Sequence, residues 1–195
     1  MFFSIKKLVR KLTYAITLAS LTWLQPSMAA TKIQINSTQL GQQVHGSRIF
    51  KARFDQLCLL MSSPEISHEL HPWLGKSQLL SQPDKHTRLY RVEYRLPWPL
   101  NKQWSLLRVE YIPRQGLSWT QLAGSFHTNQ GRINLRQKQN ELQLEYIATT
   151  DIGLPGLLVR PFQRQFIKEM FSNTQAMLKK TSFSSAGQKS DWCAL

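Results

Sequence analysis

The chain has only two cysteines in 195 residues, which excludes a disulfide-dense scaffold and a cysteine-rich zinc module. Acidic residues are also few. Asp and Glu number 11 against 25 Lys and Arg, a formal charge of +14 that calls for an anionic partner. There is no Gly-x-Ser-x-Gly elbow for a serine hydrolase and no Gly-x-Gly-x-x-Gly or Walker-type phosphate loop. His68-Glu69-Leu70-His71 begins like a zinc-protease motif, but position four after His68 is Pro72, so one helical face cannot carry both ligands. The two histidines read as surface residues of a short helix. His45, His86 and His127 have no local carboxylate or cysteine at ligand spacing, so no metal site is expected. Cys58 lies in the apolar run Leu57-Cys58-Leu59-Leu60-Met61 with no base beside it, which excludes a nucleophile. No catalytic residue and no cofactor is assigned.

Long hydrophobic runs are missing too, apart from Leu12 to Leu24, which is shorter than the ~20 residues of a membrane span. This run follows Lys6, Lys7, Arg10 and Lys11 and precedes Pro26 and Ser27-Met28-Ala29. A basic start, a short apolar core and small residues before the cut are the parts of a signal peptide. Residues 1–29 are expected to be removed after Ala29, giving a periplasmic or secreted protein. Without those four basic residues, 21 of the 25 remain against 11 acids, about +10. An exported chain of this charge points to lipid headgroups or a membrane face, and away from nucleic acid. Export also permits Cys58 and Cys193 to pair, while the apolar surroundings of Cys58 equally suit a buried thiol; both readings stay open.

The rest of the chain changes period twice. Ile33 and Ile35 alternate with polar neighbours, as in a short strand. From Ile49 to Met61, Phe50, Phe54, Leu57, Leu60 and Met61 recur at threes and fours, which predicts an amphipathic helix. A second short helical piece is expected from Pro64 to near Trp73. From Lys76 onward the period is two. Tyr90, Val92, Tyr94 and Leu96 alternate with Arg91, Glu93 and Arg95. Leu107, Val109 and Tyr111 follow, then Leu117, Trp119, Gln121 and Ala123, then Ile133 and Leu135, then Leu142, Leu144, Tyr146 and Ala148. Turns are expected at Pro113 to Gly116, Asn129-Gln130-Gly131 and Gln137 to Asn140. These strands form an antiparallel meander with one buried face.

The partner for that face lies beyond Asp151-Ile152-Gly153-Leu154-Pro155. Leu158, Phe162, Phe166 and Met170 step by four, with Ile167, Phe171, Met177 and Leu178 widening the stripe, opposite Arg160, Arg164 and Lys168, over roughly 25 residues of helix. Pro161 predicts a kink or a late start. Asp151 reads as a turn-forming and capping residue, and Glu93 and Glu110 lie on wet strand faces.

Three segments carry a resemblance. They are Phe50-Lys51-Ala52-Arg53-Phe54 leading to Trp73, Leu89 to Val92 followed by Leu96-Pro97-Trp98-Pro99-Leu100, and Tyr146 to Pro155 running into the last helix. With this element order the chain resembles the START/SRPBCC superfamily, and most of all small exported bacterial START-like proteins. The resemblance spans about residues 44–180. It implies an α+β helix-grip fold, a curved antiparallel sheet around a long C-terminal helix, with a START-like domain at 30–183 and a flexible tail at 184–195. It departs after Pro-Trp-Pro, where relatives often carry an Arg-Asp pair and this chain has Asn101-Lys102-Gln103-Trp104.

The function that the resemblance implies is binding of a lipid or other hydrophobic small molecule in a cavity between sheet and helix. The inward aromatic positions Tyr94, Tyr111, Trp119, Tyr146, Phe162 and Phe166 are its expected lining, with tyrosine hydroxyls and Gln121 orienting the ligand. A cyclase- or dehydratase-like enzyme using the same cavity, and an interaction protein with a filled core, are the competing readings.

Overall fold

In the computed structural model, residues 30–62, 69–71, 73–98, 100–180 and 193 are described. Residues 1–29, expected to be a signal peptide, most of the helical piece expected from Pro64, and the expected tail apart from Cys193 lie outside them. The elements are β1 (Lys32–Thr38), β2 (Gly41–Phe50), α1 (Phe54–Ser62), β3 (Leu74–Ser81), β4 (Thr87–Arg95), β5 (Lys102–Ile112), β6 (Gly116–Gly124), β7 (Thr128–Lys138), β8 (Glu141–Asp151) and α2 (Gly156–Lys180). One eight-stranded sheet runs β1-β2-β8-β7-β6-β5-β4-β3, with every neighbouring pair antiparallel. The fold is the expected α+β helix grip, an antiparallel sheet with a short helix after its first strands and one long helix at the end.

The period-two segments became strands because alternate residues could be buried together. On β5, Ser105, Leu107, Val109 and Tyr111 are buried while Arg108 and Glu110 face water. On β8, Leu142, Leu144, Tyr146 and Ala148 are buried in the same way. A register shift after Leu106 pairs Leu106 with Ala123 but Leu107 with Gln121, so Leu122 is an extra residue in β6. Such a bulge bends the strand and raises its twist, and here it leaves Leu122 exposed.

Four expectations change. The helix begins at Phe54, not Ile49, since Ile49 and Phe50 pair with Gln143 and Leu142 and extend β2. Gln56 Oε1 accepts the Arg53 N–H, which fixes the new start. Asn129-Gln130-Gly131 is not a turn but lies inside β7, and the chain reverses at residues 125–127 instead. The reason is lateral. A side chain at Gly131 would meet the Trp119 indole at 2.5 Å, so this glycine provides space within a strand. β3 was hidden by its weak alternation. Finally, α2 starts at Gly156, ahead of Pro161, so the late start gives way. Pro161 forfeits one hydrogen bond near the helix end, a loss outweighed by burying one side of a 25-residue helix.

The buried side of α2 is Val159, Gln163, Ile167, Met170, Phe171 and Thr174. The stripe read by fours drifts off this face, since a helix turns every 3.6 residues. Leu158 at its beginning is exposed, Phe162 and Phe166 are half-buried and Met170 is buried. Arg160, Arg164 and Lys168 are exposed as expected. The helix approaches β2 closely at Gly46, where an added Cβ would lie 2.6 Å from Ile167 Cγ2 and 3.2 Å from the Phe171 ring. Thr174, fully buried, satisfies its hydroxyl on the Met170 carbonyl at 2.8 Å.

Cys58 and Cys193 form a disulfide across 135 residues of sequence, so the reading of Cys58 as a free buried thiol is set aside. The bond ties α1 to the end of the chain. Cys58 packs with Tyr90, Val92, Leu107, Val109 and Tyr111 in one buried cluster. A second, larger cluster gathers Phe50, Leu57, Leu142, Leu144, Ile167 and Phe171 with their neighbours. Leu117 and Trp119 pack against both clusters.

Candidate functional site: a cavity between sheet and helix

Side chains from both clusters also face a shared cavity of about 260 Å³. Its sheet wall comes from Tyr90, Val92 and Tyr94 on β4, Leu107, Val109 and Tyr111 on β5, Leu117 and Trp119 on β6, Asn129 and Ile133 on β7, and Tyr146, Ala148 and Thr150 on β8. Val159, Phe162, Gln163 and Phe166 of α2 form the opposite wall. Met61, His71, Trp73, Leu96, Leu100 and Phe126 close its ends. All six residues expected from the sequence, Tyr94, Tyr111, Trp119, Tyr146, Phe162 and Phe166, are among the lining.

The aromatic rings brace one another. Trp119 and Tyr146 have centroids 5.4 Å apart, Tyr146 and Phe166 6.0 Å, and Phe166 and Trp73 5.3 Å. Trp73 also meets Phe162 edge-on at 6.4 Å. This belt joins β6, β8, α2 and the residues before β3, and such contacts favour the offset and tilted geometries seen. Phe162 and Phe166 therefore hold the helix off the sheet by ring on ring.

One end of the cavity is polar and internally satisfied. Trp119 Nε1 donates to Asn129 Oδ1 at 3.1 Å, and Asn129 Nδ2 donates to the Tyr94 hydroxyl and to Ser105 Oγ, both at 3.2 Å. Ser105 Oγ donates to Gln121 Oε1 at 2.6 Å, and Gln121 Nε2 donates to the Phe126 carbonyl at 2.7 Å. Gln121, expected to orient a ligand, is thus spent on the wall and is absent from the lining, a correction caused by the bulge beside it. Burial pushes the Tyr94 phenol up to about 12, against the hydrogen bond from Asn129, and it pushes Tyr111 and Tyr146 up as well. All three therefore remain protonated at neutral pH.

Sequence reasoning missed Asn129, Gln163 and His71. Asn129 shares the inward parity of Ile133 and Leu135, a signal masked by reading it as a turn. Gln163 lies four residues from both Val159 and Ile167, a position that its polarity disguised. His71 is not a surface residue. It lies on the Phe166 ring at 5.8 Å with the planes 13° apart, and burial lowers its pKa to about 4. His45 and His127 meet carboxylates that are distant in sequence, Glu145 at 2.9 Å and Asp151 at 3.4 Å.

The depressed His71 pKa has a testable consequence. The folded protein resists a proton that the unfolded chain accepts near its usual 6.5, so unfolding becomes easier as pH falls below that value. The penalty accumulates down to about pH 4. Replacing His71 with Gln is expected to flatten urea-unfolding stability between those limits; an unchanged slope would place the titrating group elsewhere.

Among the described residues no group of three or more His, Cys, Asp or Glu is gathered to hold a metal, and no helix is long and apolar enough to cross a membrane. Asn101, in the segment that departs from the resemblance, adopts φ 58° and closes the β4–β5 connection, where its carbonyl accepts the Leu96 N–H. Asp151 Oδ1 accepts the Gly153 N–H at 2.8 Å, the turn role expected of it.

No family model matches the chain, and no curated protein matches it by sequence. Solved structures do. Human StAR-related lipid transfer protein 5 superposes with a TM-score of 0.67 at 9% identity, covering 90% of this chain and 98% of its own. A STAR-related lipid transfer protein from Xanthomonas axonopodis gives 0.65 at 12% identity, covering 80% and 96%. The Zhui aromatase/cyclase from Streptomyces sp. R1128 gives 0.59 at 11% identity, covering 75% and 98%. At these identities the likeness speaks for architecture, and with the eight-stranded sheet and its terminal helix it shows that this chain has the START-like, helix-grip fold.

Proposed function

We propose that this protein is an exported carrier that takes up a lipid or other hydrophobic small molecule between its sheet and α2. The observation that carries this reading is an aromatic-walled, mainly apolar cavity where a filled core would otherwise unite the two buried clusters. Ligand sites have this character, apolar and concave with few polar groups. The lipid-transfer names of two structural neighbours agree with it. A disulfide suits an oxidising compartment, which supports a periplasmic or secreted location for the mature chain.

Contact with a membrane belongs to the same reading. The β1–β2, β4–β5 and β8–α2 connections all lie at one end of the sheet. They present exposed Leu40, Trp98 and Leu154, beside Leu157 in the first turn of α2, with Trp98 at 83% and Leu157 at 81% exposure. Arg95, Lys102, Arg160 and Arg164 stand exposed on the strand ends and helix that flank these connections. Apolar side chains ringed by cations suit an anionic bilayer, and the electrostatic share of that attraction weakens with salt.

The test is titration with a fluorescent phospholipid or fatty acid at low and high ionic strength, beside native mass spectrometry of protein purified from its own source. Vesicle association is expected to fall with salt, while ligand held inside is far less sensitive. Trp119→Asp should abolish uptake, with circular dichroism confirming that the fold survives. No uptake at either ionic strength, and no co-purifying lipid, would sink the proposal. His71 favours a second reading, an enzyme, because it is a neutral imidazole in the cavity wall; turnover of a polyketide-like substrate lost in His71→Phe would support it.

A further inference from the structure

The disulfide sits where the sheet wall of the cavity meets α1. Cys58 is fully enclosed, in one cluster with Tyr90 and Val92 of β4 and Leu107, Val109 and Tyr111 of β5. All five of these neighbours line the cavity. Cys193 is half-buried and packs against the same cluster. The bond therefore holds a residue from the far end of the sequence against side chains that also wall the cavity.

The helix itself has other anchors. Leu57 and Leu60, both fully buried, seat α1 in the larger cluster with Ile167 and Phe171 of α2. Met61, three residues after Cys58 and so on the same helical face, lines the cavity. Breaking the bond leaves these contacts in place and frees Cys193 from the β4–β5 wall.

The two sulfurs differ in access. Cys58 is 0% exposed and Cys193 is half-buried, so a thiolate from solvent meets Cys193 first. Exchange there balances with a dithiol as the reductant. One thiolate of the dithiol bonds to Cys193 Sγ, the Cys58–Cys193 bond breaks, and Cys58 leaves as a thiolate that takes a proton from water. The second thiol then loses its proton and displaces Cys193, closing the dithiol into its own disulfide. Two electrons pass to the protein, and both cysteines end as thiols.

We infer that Cys193 is a site of thiol–disulfide exchange that controls ligand retention: the oxidised bond holds the β4–β5 wall closed on a hydrophobic ligand, and reduction by a dithiol opens it. This rests on the carrier reading above and adds the control of its release.

Stopped-flow release of a dansyl fatty acid, chased by excess oleate, tests it on oxidised and dithiothreitol-reduced protein, with alkylation counting the thiols. Reduction is expected to weaken binding about tenfold, mostly through faster release, and Cys193→Ser should release at the reduced rate. Leu142→Ala keeps the bond and loosens the larger cluster outside the cavity lining, which makes it the destabilised control. Its release should stay within about twofold of the wild type. Linkage supplies a second readout. A ligand held about tenfold better by the oxidised form makes the bond about tenfold harder to reduce, a shift of about 30 mV for a two-electron couple. Dithiothreitol redox buffers with and without the dansyl fatty acid measure that shift.

Equal release from oxidised and reduced protein, or a reduction midpoint indifferent to the ligand, overturns the inference and leaves the carrier standing. Release from Leu142→Ala as fast as from reduced protein overturns it too, since general loosening then explains the effect. Reduced protein that has lost its circular dichroism overturns it as well, because release is then loss of the fold. If only Cys193→Ser fails to fold, reduction of the wild type decides alone. No binding of the dansyl fatty acid by either form brings down the carrier reading, and this inference with it.

Discussion

Reduction of the Cys58–Cys193 disulfide is expected to lower the unfolding free energy by about 3–5 kcal/mol. A cross-link acts largely by restricting the unfolded chain, and its effect grows with the logarithm of the loop closed. Here the separation is 135 residues, so the loop spans most of the domain. In a domain of this size each kcal/mol moves the melting temperature by about 2–4 °C, so a fall of roughly 10 °C is expected in reductant. Cys193→Ser should reproduce it, and is the cleaner variant because Cys193 is only half-buried while Cys58 is fully enclosed. Differential scanning calorimetry with and without reductant, with thiol counting by alkylation, provides the check. A melting temperature that ignores both reductant and substitution would mean that the cross-link contributes nothing to stability.

Two of the phenylalanines of α2, Phe171 and Phe166, should behave differently. Phe171 is 0% exposed, packs edge-on to Phe50 at 6.2 Å and sits over Gly46. Phe171→Ala is expected to cost about 3–5 kcal/mol, from lost transfer energy plus an unfilled hole. Phe166 borders a space that is already empty, so its truncation loses fewer contacts and opens no new void. Its loss should be about half that of Phe171 or less. Addition of a bound lipid should restore stability to Phe166→Ala less than to the wild type, because the ligand has lost one wall. Equal destabilisation by the two substitutions, in chemical denaturation, would mean that Phe166 packs in solid core.

Much of this was legible because burial and period coincide. Strands β4 to β8 announce themselves through alternation that the fold then buries on one face, and the four aromatic positions derived from that parity, Tyr94, Tyr111, Trp119 and Tyr146, line the cavity with Phe162 and Phe166 from the helical step. The failures share one cause: they depend on contacts between residues far apart in sequence. Gly131 looked like a turn because its purpose, room for Trp119, lies on another strand. Ile49 and Phe50 fit a helical spacing from one side and a strand register from the other, and pairing with β8 decided between them. Gln163 and Asn129 are polar residues in buried places, and only their partners Thr150, Tyr94 and Trp119 make that tolerable. A four-residue step traced the apolar stripe of α2 to its cavity side, and Ile167 and Phe171, read as widening that stripe, together with Val159, which was not read, do the burying.

The strand order also governs when the molecule can finish folding. Strands β3 to β8 each pair with their neighbour in sequence, so this meander can assemble by local steps. The β1–β2 hairpin is synthesised before the other strands, yet its only neighbour in the sheet among the described residues is β8, about a hundred residues later, as in the pairing of His45 with Ile147. Such distant pairings are slow to find, and an isolated hairpin is marginal in water. The first strands made must therefore wait for the last one. Until residue 151 has emerged, a nascent chain offers an open β7 edge, which invites proteolysis or mispairing. Once β8 is in place, the hairpin docks beside it and α2 settles against Gly46. The topology thus ties closure of the grip to the emergence of β8 and α2.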